Sequence, residues 1–368
     1  MAKKKEDVVE EGADAKTKKG KDKALSLEAF ITKEFGDNVM VGGNHIVDKK
    51  LVIIPVSPSI DILLSGGINT GTFVVISGKP KLGKTTMALQ FAANAQNIKY
   101  KDEFNPNGRT IYYSNVEARI KPRDLSGIHN LDTSEERFKI IQSTPGKILT
   151  GEDHLNIAEY IINTKPGSII IIDSFSAMCT AAGFAANLED QVRDDSTRLL
   201  GRFCRRNATA ISLNNCIVIG IVHVIANQEG GPMSPKWVEA SGNKIQYQAD
   251  VKLKGDYFQA WKDGEVQIGQ DVHWSCGCSS LGSPGGKCVS KLRYGYGLDK
   301  ELEVIELAID LGLVKQGGAW YTINHNYKAF QDQKVQGKES LRTILVNNPD
   351  LYVDLYIKIR EMLGLQPI

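Results

Sequence analysis

No stretch of about 18 or more apolar residues occurs in the chain, which excludes a membrane-spanning helix. The N-terminus carries no apolar signal core, so the reading is a soluble, cytoplasmic chain with no membrane partner. Six cysteines in 368 residues are not the disulfide framework of a small secreted domain. The net charge of +2 leaves no global field of either sign, so any affinity for nucleic acid must come from local patches. Internal repeats are missing as well. The length has room for one large core domain and one or two smaller units.

What is present is concentrated in residues 74–89. A β-branched run ends at Gly78, Lys79-Pro80-Lys81-Leu82 follow, and Gly83-Lys84-Thr85-Thr86 open a helical pattern carrying Met87, Leu89 and Phe91. Two glycines five apart, then lysine and a hydroxyl residue, form the phosphate-loop pattern. The glycines let successive N–H groups turn inward around a polyphosphate, and the helix N-terminus adds its positive end. In that chemistry Lys84 holds the β- and γ-phosphates of ATP, and Thr85 offers its hydroxyl to Mg²⁺. The bland alternative, a strand–helix turn that binds nothing, is disfavoured because both flanking elements are there.

Around this stretch the chain divides into four parts. Residues 1–23 mix Lys, Glu and Asp with almost no large apolar residues and read as a disordered tail. Its lysines could touch DNA or simply keep the tail solvated. In residues 24–50, Leu25, Leu27, Phe30, Ile31 and Phe35 fall at helical spacing with Gly36 as the stop, and a β segment is expected around residues 39–41. Such a lone amphipathic helix packs on its own core or docks on a neighbouring subunit.

Residues 51–297 read as the core, with strands expected at 72–77, 110–114, 168–172 and 216–222. Four isoleucines in a row, Ile169 to Ile172, indicate a strand buried on both faces, as in a parallel sheet covered by helices. The fold class is therefore α/β, a doubly wound, mostly parallel sheet with ligands at the C-terminal strand ends. Residues 257–269 read as polar and 273–288 as loop-like. Residues 298–368 form a small C-terminal α/β unit, with helices at 301–311 and 350–363 and a β pair around 319–323.

Three polar residues stand at expected strand ends. Asp173 closes the isoleucine strand, where a carboxylate takes a Mg²⁺-bound water. Glu117 follows the strand at 110–114, where the attacking water needs a general base; a plain surface glutamate is the alternative. His223 ends the strand at 216–222, where it could sense the γ-phosphate or be an ordinary strand-end histidine. Elsewhere His273, Cys276, Cys278 and Cys288 gather an imidazole and three thiols. That is an acceptable zinc set at unusually tight spacing, with reduced cysteines or a redox pair as the other readings.

These residues resemble the RecA recombinases of bacteria and their bacteriophages. The likeness runs through Ile31-Thr32-Lys33-Glu34-Phe35-Gly36, Ser59-Ile60-Asp61-Ile62-Leu63-Leu64-Ser65-Gly66-Gly67-Ile68 and the phosphate loop. It continues in Glu117 ahead of Pro122, Asp173-Ser174, Ser241-Gly242-Asn243, Ala319-Trp320-Tyr321, Gln336-Gly337-Lys338 and Asn347-Asn348-Pro349. The resemblance implies a DNA-dependent ATPase that forms a helical filament of identical subunits on single-stranded DNA. ATP would sit between neighbours, and pairing and strand exchange with double-stranded DNA would serve recombination and repair. It makes Glu117 the catalytic base and His223 the group that couples ATP state to DNA, with a histidine resembling that of the T4-type phage recombinase. Two other readings are an ATP-switched DNA-binding filament with little turnover and another RecA-fold repair ATPase.

The resemblance also implies two DNA loops, at residues 183–193 and 224–242. Arg193, Arg198 and Arg205 would serve the first, the latter two with Arg202 as a stripe on one helix face that could equally be merely solvated. Asn227, Lys236, Trp237, Ser241, Gly242 and Asn243 would serve the second. The region corresponding to the family's two interface lysines holds Cys276-Gly277-Cys278 here, and Lys287, Lys291 and Arg293 are the candidate substitutes.

Overall fold

The computed structural model describes residues 26–48, 52–187, 189, 195–227, 237–240, 245, 247–324 and 334–366. Contacts divide the chain into two units, Met1–Lys50 and Leu51–Ile368. In the first, Ser26 Oγ accepts from the Ala29 N–H at the start of helix Leu27–Phe35, and Gly36, at φ 99°, ends it. The strand expected around residues 39–41 does not form. The described residues of this unit hold no partner strand, and a turn leads instead into a short helix, Asn44–Val47.

In the second unit a small ladder, β1 (Ile53–Ile54) with β2 (Ile68–Asn69), precedes the main sheet. The main strands are β3 (Thr72–Gly78), β4 (Ile111–Asn115), β5 (Phe138–Ile141), β6 (Ile169–Asp173), β7 (Ile217–Ala226) and β8 (Trp237–Glu239). They are followed by β9 (Val251–Asp263), β10 (Val266–Cys278), β11 (Lys287–Arg293) and β12 (Gly297–Leu298). Across the sheet the order is β12-β11-β10-β9-β3-β7-β6-β4-β5, with β8 attached to β7. From β9 to β5 every ladder is parallel. β9 to β12 continue as an antiparallel extension.

The isoleucine run explains the layers. Ile169 and Ile171 point into one core with Val74, Ile76 and Phe91, whereas Ile170 and Ile172 point into a second with Phe73, Val75 and Phe203. All four are fully buried. At about 1.5–3 kcal/mol for each buried side chain, both faces must be covered for the strand to hold its place. Helix Lys84–Ala95 lies on the first face, and helices Gly151–Thr164 and Ser196–Leu213 on the second.

The antiparallel extension corrects the reading of residues 257–288 as polar and loop-like. Val272, Trp274 and Cys276 are buried and alternate with His273 and Ser275, a period-two pattern that the Gly-, Ser- and Cys-rich composition obscures. The chain closes with a three-stranded sheet, β13 (Val314–Gly317), β14 (Trp320–Ile323) and β15 (Lys334–Gln336), with helices Lys300–Asp310, Lys338–Asn347 and Pro349–Met362 around it. The helix at residues 338–347 was not among the expected elements. A buried polar knot ties this part to the core. The Tyr356 hydroxyl donates to Asp61 Oδ2, Arg360 donates to the Gly66 carbonyl, and burial pushes the Asp61 carboxyl up to about 7.

Candidate nucleotide site and nucleic-acid face

At the C-terminal side of four neighbouring strands, β3, β7, β6 and β4, lie in that order the phosphate loop, His223, Asp173 and the turn to Glu117; His223 stands level with Gly78 inside β7 and does not end that strand. This is where an open α/β sheet binds ligands. Gly78 closes β3 at φ 153°, where an added Cβ would lie 3.0 Å from the Gly255 carbonyl oxygen. Gly83 stands at φ 80°, and a Cβ there would meet Leu292 Cδ1 at 2.3 Å. Only glycine satisfies both the backbone twist and the close approach.

Lys84 begins the helix and is 5 % exposed. Its Nζ donates to the carbonyls of Gly78 at 3.0 Å and Lys79 at 2.8 Å, which holds the ammonium inside the loop. Burial lowers its pKa to about 8, against the opposing pull of the Asp173 and Glu117 carboxylates. The neighbouring Thr85 hydroxyl donates to Asp173 Oδ2 at 2.7 Å, and the Tyr113 hydroxyl donates to the same oxygen at 2.7 Å. Burial raises the Asp173 pKa, and these two hydrogen bonds oppose the rise.

Ser174, joined to Asp173 by a cis peptide, donates from Oγ to Glu117 Oε1 at 2.6 Å. His223 Nε2 lies 2.8 Å from the same oxygen. The His223 hydrogen bond is the largest influence holding the Glu117 carboxyl down, to about 2, and Ser174 adds to it against the cost of burial. An ionised carboxylate only accepts, so Nε2 is the donor in this pair. The other oxygen, Oε2, faces Arg119 at 3.5 Å.

A cavity of about 250 Å³ joins Thr85, Thr86, Tyr113, Glu117, Asp173 and His223. A second one, about 550 Å³, shares Thr86 and Asp124 with it and is bordered by Arg123 and Tyr294. Asp124 is also occupied as a cap, accepting from the Lys121 N–H at 2.9 Å. Tyr113, Arg119 and Tyr294 were not picked out from the sequence. Tyr113 alone left a trace, as a tyrosine one residue from the end of an expected strand.

The lysine in the loop gives a pH dependence with a definite sign. Above about pH 8 the nucleotide-free protein begins to lose the Lys84 proton, and a polyphosphate must restore it. Affinity for a fluorescent ATP analogue is expected to be level up to about pH 8 and then to fall, approaching tenfold per pH unit. Titrations across that range check it.

The cysteine set does not form a zinc site. His273 and Cys276 project from opposite faces of β10, and His273 stacks on Tyr257 at 4.0 Å. Cys276, which stands opposite Leu253 of β9, sits in the apolar core, where burial raises its thiol pKa along with those of Cys278 and Cys288. Among the described residues no group of three or more His, Cys, Asp or Glu could hold a metal ion. Two of the substitute cations are already engaged: Lys291 pairs with Asp271 and Glu306, and Arg293 with Asp299 and Glu339. Lys287 is exposed.

Of the residues expected to meet nucleic acid, Arg198 and Arg205 lie with Arg202 on the outer face of helix Ser196–Leu213, opposite Leu200, Phe203, Cys204 and Ile211. Asn227 follows β7, and Trp237 opens β8. β7 runs to Ala226, further than expected, because β8 pairs with it antiparallel. Arg193, Lys236, Ser241, Gly242 and Asn243 lie outside the described residues. No helix among the described residues is long and apolar enough to cross a membrane.

A loop that can enclose phosphates, with a buried aspartate ending one strand and a hydrogen-bonded glutamate in the turn after its neighbour, places the chain in the class of phosphate-loop ATPases. Within that class the comparisons are specific. The model of the RecA N-terminal domain matches residues 22–299, and that of the RecA C-terminal domain matches residues 302–364. Protein RecA of Xanthomonas euvesicatoria is 29% identical over 348 residues, covering 93% of this chain and 94% of its own. Protein RecA of a Nocardioides strain is 29% identical over 353 residues, covering 95% and 94%. The chain belongs to the RecA family, the DNA-dependent ATPases that carry out strand exchange in recombination and repair.

Proposed function

We propose that this chain assembles as a helical filament on single-stranded DNA, with ATP held at the phosphate loop, and pairs that strand with double-stranded DNA. The observation that carries the reading is the hydrogen-bonded line from Thr85 through Asp173, and from Ser174 through Glu117 to His223, which ends on the strand leading into the second DNA loop. Residues 78–86 cradle the triphosphate, and Lys84 neutralises its β- and γ-phosphates. A water attacks the γ-phosphorus, its proton passes to Glu117 Oε2, and the bond to the ADP oxygen breaks.

The residues also fit Mg²⁺. Thr85 and Asp173 bring two hard oxygen donors to one point, 2.7 Å apart, and Mg²⁺ at a phosphate site takes only one or two protein groups beside waters and phosphate oxygens. When bound, the ion neutralises charge on the phosphate oxygens. Glu117 Oε1 is engaged by Ser174 and His223, so movement of His223 with its strand changes the basicity of Glu117 and ties turnover to the DNA loop. The arginine stripe at 198, 202 and 205, with Arg193, tracks phosphates. Asn227, Lys236, Trp237, Ser241, Gly242 and Asn243 serve the second loop. Residues 24–50 dock on the neighbouring subunit through the apolar stripe of helix Leu27–Phe35, and residues 298–368 act as an accessory C-terminal domain on the core at 51–297.

The test is ATP turnover with and without single-stranded oligonucleotide, alongside strand exchange and electron microscopy. Turnover should rise with DNA, and filaments should appear with nucleotide and DNA together. Turnover indifferent to DNA would point to a different kind of repair ATPase, and filaments without turnover to a switch.

A further inference from the structure

The phosphate loop of this chain carries a cation directly after its first glycine. The Lys79 carbonyl accepts from Lys84 Nζ, so its backbone is part of the cradle. Its side chain has a different partner: the ammonium lies 4.1 Å over the centre of the Trp237 indole. Trp237 is the first residue of β8, where it stands opposite Ala226 of β7 and is 41% exposed. Two residues further on, Glu239 pairs with Lys252 at 2.9 Å, and the Ala240 N–H donates to the His223 carbonyl. The nucleotide loop and a segment of the expected second DNA loop therefore meet at the Lys79–Trp237 contact.

We infer that Lys79 is a positioning residue that couples the two loops by occupying the Trp237 ring until a triphosphate draws it away. This rests on the reading above that the Trp237 segment borders DNA. The ammonium has two attractive partners, the aromatic face it covers and a polyphosphate in the cradle that its own carbonyl helps to form, and cannot satisfy both. A base stacking on the indole needs the face that the ammonium covers. Nucleotide in the cradle thus uncovers the ring, and single-stranded DNA and ATP favour each other's binding.

The sign of one substitution separates this from general electrostatics. Removing a cation beside a DNA surface ordinarily weakens DNA binding. Here Lys79→Met is expected to tighten nucleotide-free binding of an oligothymidine by about two- to fivefold, the size of an exposed cation–π contact. The gain in oligothymidine affinity on adding a non-hydrolysable ATP analogue should shrink by the same factor. Lys79→Arg should keep that gain. In a Trp237→Leu background Lys79→Met should change neither quantity. Fluorescence anisotropy on the full chain, with circular dichroism to confirm folding of each variant, measures all of these. Weaker nucleotide-free binding in Lys79→Met, or the same change with and without Trp237, overturns the inference while leaving the filament reading intact. If the unsubstituted chain gains no affinity for oligothymidine from the analogue, the filament reading falls and the inference with it.

Discussion

Glu117→Gln is expected to slow ATP turnover by on the order of a hundredfold or more while nucleotide binding survives. The amide is nearly isosteric, and its carbonyl oxygen can still accept from Ser174 Oγ and His223 Nε2, which lie 2.6 and 2.8 Å from Oε1 in the parent. What is lost is the anion. With its pKa held near 2, first by His223, the parent carboxylate is ionised at every pH at which the protein would be assayed. Its weak basicity in this hydrogen-bonded state means that it takes up a proton well only when His223 shifts. The amide cannot take one up at all. Affinity for the triphosphate should hold or improve slightly, since one negative charge leaves the cavity. Single-turnover kinetics beside analogue binding distinguish the two effects, and normal turnover in this variant would remove Glu117 from the role of base.

Replacing His223 tests the other end of the same contact. His223→Ala should leave Ser174 as the partner of Glu117 Oε1 and raise the glutamate pKa, because the largest influence holding it down is gone. Basal turnover and its DNA dependence should then come apart, which assays with and without oligonucleotide would show. A variant that keeps the parent's DNA dependence would deny His223 the coupling role.

The readable parts of this molecule are those where backbone chemistry and sequence spacing coincide. Gly78, Gly83, Lys84 and Thr85 are fixed by a turn that only glycine can make and by a helix start, so their spacing survives in the sequence. Four successive isoleucines can satisfy only a strand covered on both faces, and Asp173 follows them directly. The antiparallel extension was illegible for the opposite reason. Strands β9 and β10 form a hairpin across Gly264 that β11 extends, and in β10 the alternation is carried by Trp, Cys, Ser and His, not by aliphatic residues. Tyr113 and Arg119 escaped notice because their role lies in what they touch: a hydroxyl to Asp173 and a guanidinium to Glu117. The zinc set failed on the same point, since His273 and Cys276 lie on opposite faces of β10 and Cys288 belongs to β11. The Lys79–Trp237 contact spans residues far apart in the chain and leaves no local signal at all.

Lys84→Ala is expected to abolish every nucleotide-dependent activity. The lysine is nearly buried, its ammonium is held by two loop carbonyls, and burial has already lowered its pKa to about 8, so the loop carries a desolvated cation waiting for an anion. A hydrogen bond to a charged group contributes about 1.5–3 kcal/mol, and this ammonium serves two phosphate groups. Analogue affinity should therefore fall on the order of a hundredfold or more. Lys79 and Lys81 do not replace it: the ammonium held inside the loop by the Gly78 and Lys79 carbonyls is that of Lys84, and Lys81 is exposed. The fold itself should persist, because the apolar clusters on both faces of the sheet are built from other side chains, and far-ultraviolet circular dichroism verifies that. Retention of DNA-stimulated turnover in the folded Lys84→Ala protein would mean that the triphosphate is held elsewhere, and the assignment of residues 78–86 as its cradle would have to be given up.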